Sequence, residues 1–504
     1  MPPSSTPRPA TRDHHPAVRA AQAADAPASA RAPATGESDG GGPSLVRRLG
    51  PADAAAVIVS NVIGGGILFT PPLVAAMIPN PWLFVGVWAI GGALAFAGAM
   101  AYAELAALRP RAGGEYVYLR AAYGNVAAFL TGWTSFVAGF SGAIAASSVF
   151  LAVYLDRFIP GAGDPTPLFT IAIPWIPLVF SRQAGVALAT IALMSWIHLR
   201  GVGPGRIVGN ILATLKVLAL LVFIALGFSF GAGSSANLQQ TAGQVTVTAW
   251  LFALIPVMFA YSGWNAASYI AEEIRDPGRN VPRALAFGTV AVIAIYVLLN
   301  LLYLFVLPVG QLAKVEGSVL DVIGDRLFGP LAGNIMGLVS IISLAASISA
   351  NVFAGPRVYF AMARDGLFLP AAARVHPRYR TPATAIVAQA SWSSLLVLSG
   401  GGNALTTYTG FSIVLFAGVA VAAVFVLRRR EPDAPRPFRA LGYPVAPAIF
   451  VIAAVLIVAN AIWTDLVAPI MRGTAWGPSA VGLMVIALGL PLYYVFARSV
   501  KKER

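Results

Sequence analysis

The sequence contains no cysteine and few charged residues of any kind. The absence of cysteine excludes disulfides, thiolate metal sites and cysteine catalysis. Charged residues make up 11% of the 504, against about 25% in an average soluble domain. Only four histidines are present, two of them in the tail at His14 and His15. We therefore predict no metal site and no cofactor.

Apolar residues are abundant, at 58% of the chain. Many fall in uncharged stretches near 20 residues, the length that a helix needs to cross a bilayer. The predicted fold class is an all-α polytopic membrane protein with twelve transmembrane helices. The predicted spans are 53–78, 82–108, 122–155, 184–199, 206–231, 247–272, 282–307, 330–362, 382–399, 404–427, 443–465 and 476–497.

The net charge of +14 would suggest nucleic acid binding in a soluble protein. Here the basic residues lie in short loops between spans, where they set membrane orientation. We therefore predict no nucleic acid partner, a cell membrane location and cytoplasmic termini. We call the side that carries these loops the basic face; its residues are Arg109, Arg111, Arg120, Arg200, Arg275, Arg279, Arg283, Arg364, Arg374, Arg378, Arg380, Arg428, Arg429, Arg430, Arg436 and Arg439.

Composition divides the chain into three parts. Residues 1–46 are rich in Pro, Ala, Gly, Ser and Arg and are predicted to be a disordered cytoplasmic tail. They contain no apolar run and so do not form a signal peptide. Residues 47–430 hold the first ten spans, predicted to be the core. Residues 431–504 hold the last two spans and a short C-terminus.

Glycine interrupts two predicted spans at corresponding positions. Gly64, Gly65 and Gly66 interrupt the first span, and Gly263 interrupts the sixth. Paired breaks of this kind point to the binding site of a secondary transporter. Five helix-and-loop units fit between the breaks, so the chain can be divided into two copies of a five-helix unit. Because five is odd, the second copy enters the membrane from the opposite side and is inverted. The sequence thus predicts an inverted repeat of five plus five helices.

The broken ends have chemistry that suits an amino acid. A half-helix starting near Ile67 has free N–H groups and a positive dipole end, which bind a carboxylate. The carbonyls of Ile63, Phe259 and Ala260 suit an ammonium group. The alternative is that glycine only allows close packing of the helices, as it often does in membranes.

Three side chains are predicted to line the pocket next to the second break. They are Phe259, Trp264 and Asn265. Asn265 is polar within the membrane and needs a partner. The aromatic residues are candidate gates, with ordinary packing as the alternative. Ser347 and Asn351 on the eighth span are weaker candidates.

Lys216 is the basic side chain that lies well inside a predicted span. It follows Arg206 by ten residues, which at 1.5 Å per residue places it near mid-membrane depth. It is a candidate proton carrier, or a fixed charge in the place of a sodium ion. The alternative is that it snorkels towards the cytoplasm.

Three acids lie where spans end at the basic face. Glu104, Glu272 and Glu273 adjoin its Arg-rich loops. They could form the salt bridges of a gate or lie at plain solvated helix ends, and the sequence leaves both readings open.

Several motifs, in order, resemble those of the APC (amino acid-polyamine-organocation) superfamily, and most closely its bacterial permeases and L-type amino acid transporters. The likeness covers about residues 50–430. The motifs are Ile63 to Leu68 with Thr70-Pro71, Tyr102 to Leu105, Gly113 to Tyr116, Phe259 to Asn265, Glu272-Glu273, Pro277, Asn280, Pro282-Arg283, Arg357, Ala363 to Gly366 and His376-Pro377.

The resemblance implies a LeuT-type fold and a role for each matching residue. Gly64 to Gly66 match carboxylate-binding positions, Phe259 a gating aromatic, and Ser262 and Asn265 pocket positions. Lys216 matches a lysine that replaces sodium and is linked to proton coupling in some relatives. Together with Ile63 and Ala260, whose carbonyls end the half-helices, these matches give the predicted substrate-binding set: Ile63, Gly64, Gly65, Gly66, Phe259, Ala260, Ser262 and Asn265.

The expected function is secondary-active transport of neutral amino acids by alternating access, coupled to protons. The expected partners are an amino acid, protons and the lipid bilayer. An enzyme would need paired acids, a metal cluster or an activated nucleophile, and none is visible in the spans. Between Glu115 and Glu272 the acids are Asp156 and Asp164, both in an outer loop, which favours a neutral substrate. The alternatives are an obligate exchanger, or a carrier of another organic cation such as a polyamine.

Overall fold

A computed structural model describes residues 45–173, 177–400 and 402–502. The predicted tail, up to residue 44, lies outside the described residues. The described chain is an all-α polytopic membrane protein, as predicted, and each of the twelve predicted spans overlaps one helix or a run of consecutive helical segments.

The spans have the following bounds. They are Pro51–Val62 with Gly65–Met77, Pro81–Leu108, Asn125–Thr134 continuing through a π-helical turn at Ser135–Gly139 into Phe140–Leu155, Arg182–Leu199, Val202–Phe230, Val247–Ala260 with Ala266–Tyr269, Pro277–Val306, Pro330–Arg364, Ala383–Leu398, Gly402–Arg430, Val445–Ile462 continuing through Trp463–Val467 into Ala468–Arg472, and Pro478–Lys502.

Eight of the helices in the described part of the chain are long and apolar enough to cross a membrane by themselves. The two halves of the first span pass the same test together, although they meet at 43°. Val247–Ala260 and Ala383–Leu398 are shorter apolar helices. Arg182–Leu199 has 18 residues, enough for about 27 Å at 1.5 Å per residue.

Local sequence sets where several helices begin. Asn80 caps the second span, since its side chain accepts hydrogen bonds from the amides of Trp82 and Leu83, and Pro81 follows at the first helical position. Ser181 caps the fourth span through the amide of Ala184.

Short elements connect the spans. The helix Glu115–Tyr123 lies between the second and third spans, and Val309–Leu312 and Val319–Phe328 lie between the seventh and eighth. Strands Pro167–Ile171 and Leu178–Ser181 pair antiparallel. Single 3₁₀ turns lie at Ser235–Gln239, Ala271–Glu273 and Pro370–Ala373.

The first break is shorter than the sequence predicts. Only Ile63 and Gly64 leave the helical conformation, and the second half-helix begins at Gly65 rather than near Ile67. Glycine is compatible with helix, so the triplet need not unwind as a whole. The first amides of a helix have no partner within it, and at this helix they belong to Gly65 and Gly66.

The second break depends on one glycine. The helix ends at Ala260 and resumes at Ala266, and Gly263 between them has a φ of +98°, a region that glycine adopts at little cost. A Cβ at Gly263 would lie 2.5 Å from the side-chain oxygen of Asn61 in the first span. The two breaks therefore touch each other.

Backbone hydrogen bonds join the start of the first span to the exit of the sixth. The amide of Leu49 donates to the carbonyl of Glu273 over 3.0 Å, and the amide of Arg275 donates to the carbonyl of Leu49 over 2.9 Å. The two broken spans are thus tied together at the basic face as well as at their breaks.

Candidate functional site

A cavity of about 490 Å³ lies between the two breaks. Six of the predicted substrate-binding residues line it: Gly64, Gly65, Gly66, Phe259, Ala260 and Ser262. Ser347, Asn351 and the unpredicted Asn61 line it too. Its lining extends to Asp465 and Ser479, which flank the loop between the last two spans, on the side opposite the basic face.

The glycines place helix amides at one wall of this cavity. Gly65 and Gly66 form the first turn of the second half-helix, so their N–H groups meet the requirement for binding a carboxylate. Gly66 has a second reason to be glycine, because a Cβ there would lie 2.6 Å from the Cα of Ala260. Both readings of the glycine triplet, ligand binding and close packing, thus have a structural basis.

Lys216 is in contact with the backbone at the first break and does not extend towards the cytoplasm. It has no exposed surface, and its ammonium nitrogen donates to the carbonyl oxygens of Ser60, at 3.1 Å, and Ile63. An uncapped helix end leaves such carbonyls unpaired, and Lys216 satisfies two of them. Ile63 itself is buried and is not among the residues lining the main cavity.

Tyr296 of the seventh span reaches one helix-end carbonyl at each break. Its hydroxyl lies 2.7 Å from the carbonyl oxygen of Val62 and 3.1 Å from that of Ala260. The carbonyl of Phe259 accepts the amide of Ser262 over 3.0 Å. The carbonyls of Ile63, Phe259 and Ala260, which the sequence suggests for an ammonium group, therefore already accept hydrogen bonds from side chains and a turn.

Asn265 has the partner that a polar group in a membrane needs. Its side-chain amide donates to Glu115 over 2.7 Å and to the hydroxyl of Tyr269 over 3.0 Å. It faces a separate cavity of about 80 Å³ and is not among the residues that line the main one. Asn265 thus lines the small cavity that Glu115 also lines, and not the main cavity.

The two aromatic candidates have different surroundings. Phe259 lines the main cavity, where a gating residue is needed. Trp264 is 4% exposed and packs edge-on against Tyr102 and Phe450, with ring centroids 4.8 and 6.0 Å apart. Trp264 is not among the residues lining the main cavity, so packing is the better description of it.

The three acids at the basic face are ion-paired and not at plain solvated ends. Glu273 and Arg357 are both buried and lie 2.8 Å apart. Glu104 pairs with Arg428 over 2.6 Å. Glu272 binds Arg364 over 3.0 Å; burial opposes its charge, but the bonds from Arg364 outweigh this and hold the pKa of Glu272 below its ordinary value. These pairs join spans across the basic face.

Sequence reasoning missed three residues of the site. Tyr296 looks like a packing aromatic in an apolar span, and Asn61 is an isolated polar residue in another. Asp465 lines the main cavity, and its carboxylate accepts the amide of Ser479 over 3.0 Å. The proximity of Asn61 to Gly263 could have been inferred by pairing the two breaks; no local pattern marks Tyr296.

Comparison with known proteins agrees with this arrangement. A sequence model of the family described as amino acid permease matches residues 49–488. The chain belongs to the amino acid permease family. It is therefore a transporter in kind and not an enzyme, and the predicted resemblance to APC permeases and L-type transporters is confirmed.

Three animal relatives of this permease match over most of their length. The mouse large neutral amino acids transporter small subunit 2 is 28% identical, over 92% of this chain and 83% of its own. The mouse b(0,+)-type amino acid transporter 1 is 28% identical, over 90% of this chain and 88% of its own. The mouse Asc-type amino acid transporter 1 is 28% identical, over 91% of this chain and 83% of its own.

Proposed function

We propose that this permease carries neutral amino acids across the cell membrane by alternating access. The observation that carries the proposal is the cavity between the breaks, lined by Gly64, Gly65 and Gly66. The substrate carboxylate binds the amides at the start of the second half-helix. A neutral side chain fits the predominantly apolar and aromatic wall around Phe69, Phe150 and Phe259.

The substrate ammonium then binds side-chain oxygens rather than helix-end carbonyls. Lys216 and Tyr296 already use the latter. Asn61, Ser347 and Asn351 line the same cavity and offer oxygen acceptors. This assignment makes the eighth span part of the binding site.

We further propose that net uptake is driven by a proton gradient, with both termini in the cytoplasm. Obligate exchange of one amino acid for another is the alternative for the coupling. Lys216 is the candidate from sequence for either scheme, as a proton carrier or as a permanent ammonium. Its two carbonyl acceptors can accept from a charged ammonium or from a neutral amine, and the bonds from the ammonium are the stronger.

A carrier of organic cations is the second candidate for the substrate class. Asp465 supports it, because this acid lines the main cavity. Against it, the carboxylate of Asp465 already accepts the amide of Ser479, and a site for a polyamine would need further acids at the breaks.

Uptake into proteoliposomes tests the substrate class. We expect radiolabelled neutral amino acids to accumulate and to be displaced by other free amino acids. Amino acid methyl esters and N-acetyl amino acids should not compete, because each lacks one charged group of the pair. Equal competition by these blocked forms would refute the site, and uptake of polyamines in place of amino acids would favour the second candidate.

A further inference from the structure

Glu115 is a buried acid without a cationic partner among the described residues. It is 6% exposed, and none of the ion pairs in the described chain includes it. Glu104 and Glu273, which are buried to a similar degree, each pair with an arginine. A buried carboxylate that is left uncompensated is costly, so Glu115 needs another source of positive charge.

The groups around Glu115 are neutral hydrogen-bond donors. Tyr102 of the second span donates over 2.6 Å and Asn265 over 2.7 Å to the same carboxylate oxygen. Thr131 of the third span lies 3.5 Å from the other oxygen. The titratable groups that face it are tyrosines: Tyr102, Tyr269 beyond the second break, and Tyr118 on its own helix.

A small cavity beside Glu115 adjoins the substrate cavity. It measures about 80 Å³, which is enough for water but not for an amino acid in this conformation. Asn61, Ala143, Ser262, Asn351 and Ile413 line both cavities. These shared walls place Glu115 where a proton relayed by water from the substrate cavity would reach it.

We propose that Glu115 is the site that binds the coupling proton. The inference rests on the proposed amino acid transport and assigns the proton to Glu115 instead of Lys216. In the step, a carboxylate oxygen of Glu115 takes a proton from a hydronium ion that enters the adjoining cavity, which leaves water, and Glu115 becomes a neutral carboxylic acid. When the basic face opens, the same O–H bond breaks and the proton leaves to that side.

The geometry also links the proton to the second break. Asn265 follows that break directly, and its bond to an ionised carboxylate is charge-assisted. Protonation removes the charge and weakens this bond, which frees the segment from Asn265 to Tyr269 to move. Burial raises the pKa of the Glu115 carboxyl, although the bonds from Tyr102, Tyr269 and Asn265 act in the opposite direction.

Electrical recording on membranes containing the purified permease tests the proposal. A neutral amino acid has no net charge, so exchange gives no current, whereas cotransport with a proton does. We expect a current in the wild type and in Glu316→Gln, a matched change at an exposed glutamate. Glu115→Gln, which resembles the protonated acid, should lose the current while keeping exchange of radiolabelled amino acid.

The other outcomes separate the hypotheses. A full current in Glu115→Gln overturns the proposal, and a current lost only in Lys216→Met assigns the proton to Lys216. Wild-type exchange without any current also overturns it, whereas a wild type that moves no amino acid refutes the transport function instead. If Glu115→Gln does not fold, Glu115→Asp is tested in its place. The pH at which its current is half-maximal should differ from that of the wild type, and an unchanged pH overturns the proposal.

Discussion

The hydroxyl of Tyr296 lies 2.7 Å from the carbonyl oxygen of Val62, the last helical residue before the first break. The same hydroxyl lies 3.1 Å from the carbonyl of Ala260, where the helix ends before the second break. One side chain of the seventh span thus reaches both broken ends. It compensates for the carbonyls that the breaks deprive of helical partners.

Replacing Tyr296 by phenylalanine should weaken the coupling between the breaks. The change removes the O–H that lies within reach of both buried carbonyls, at a cost of about 1–3 kcal/mol, and it removes no ring packing. We expect a lower thermal midpoint in detergent and slower uptake of neutral amino acids into proteoliposomes.

Tyr303→Phe is the matched control. Tyr303 lies on the same helix and is fully buried, but its hydroxyl has no hydrogen-bond partner in the described structure. Its removal should leave the thermal midpoint and uptake near wild-type values. Equal behaviour of the two variants would show that the Tyr296 hydroxyl contributes nothing specific.

The fold and the position of the breaks were predictable because both follow from local patterns. Apolar runs mark the spans, and Gly64 and Gly263 mark the breaks. The partners of the broken ends were not predictable in this way. Tyr296 is 234 residues from Val62 along the chain, and nothing in its neighbourhood distinguishes it from an aromatic that only packs.

Gly66 and Gly65 should respond differently to alanine. A Cβ at Gly66 would lie 2.6 Å from the Cα of Ala260, a backbone atom that cannot move aside, while a Cβ at Gly65 would make ordinary side-chain contacts at 3.9 Å. We expect Gly66→Ala to push the first and sixth spans apart, to lower the thermal midpoint and to abolish uptake.

Gly65→Ala should fold with a thermal midpoint close to that of the wild type. If this substitution changes transport, it should do so through substrate affinity, since Gly65 lines the main cavity. Gly66 is helical and, by contrast, faces the backbone of Ala260, so a substitution there should disturb folding as well as binding. Similar midpoints for the two variants would contradict the close approach at Ala260.

Lys216→Met should damage the first break more than the response to pH. The position of Lys216 was predictable from its spacing to Arg206, but its acceptors, the carbonyls of Ser60 and Ile63, were not. Methionine fills similar space without a donor. If Lys216 serves only to bind these carbonyls and stabilise the break, exchange and gradient-driven uptake should fall by the same factor in Lys216→Met.

The two activities can be measured on one preparation of vesicles. Exchange is followed with labelled amino acid inside and unlabelled outside at equal pH, and net uptake with an acidic exterior. If Lys216→Met retains exchange but loses only the response to the gradient, Lys216 carries the proton and the role proposed for Glu115 is wrong.

The buried pair of Glu273 and Arg357 should stabilise the closed basic face. The two side chains are 0% and 1% exposed, and the Arg357 guanidinium also donates to the carbonyl of Phe353 over 2.7 Å. Arg357→Met leaves a buried carboxylate without its partner, which typically costs about 3–5 kcal/mol. We expect a large fall in thermal midpoint for this single variant.

A double-mutant cycle separates pairing from packing. Arg357→Met with Glu273→Gln removes the unpaired charge, so the double variant should be more stable than Arg357→Met alone, with a coupling energy well above that of exposed pairs. Arg109 and Glu431 form the matched control, since they lie 2.6 Å apart at the same face but are 37% and 32% exposed. Their cycle should give about 0–1 kcal/mol. Equal coupling energies in the two cycles would mean that the buried pair does not hold the basic face closed, and the gate would then have to depend on Glu104 and Arg428.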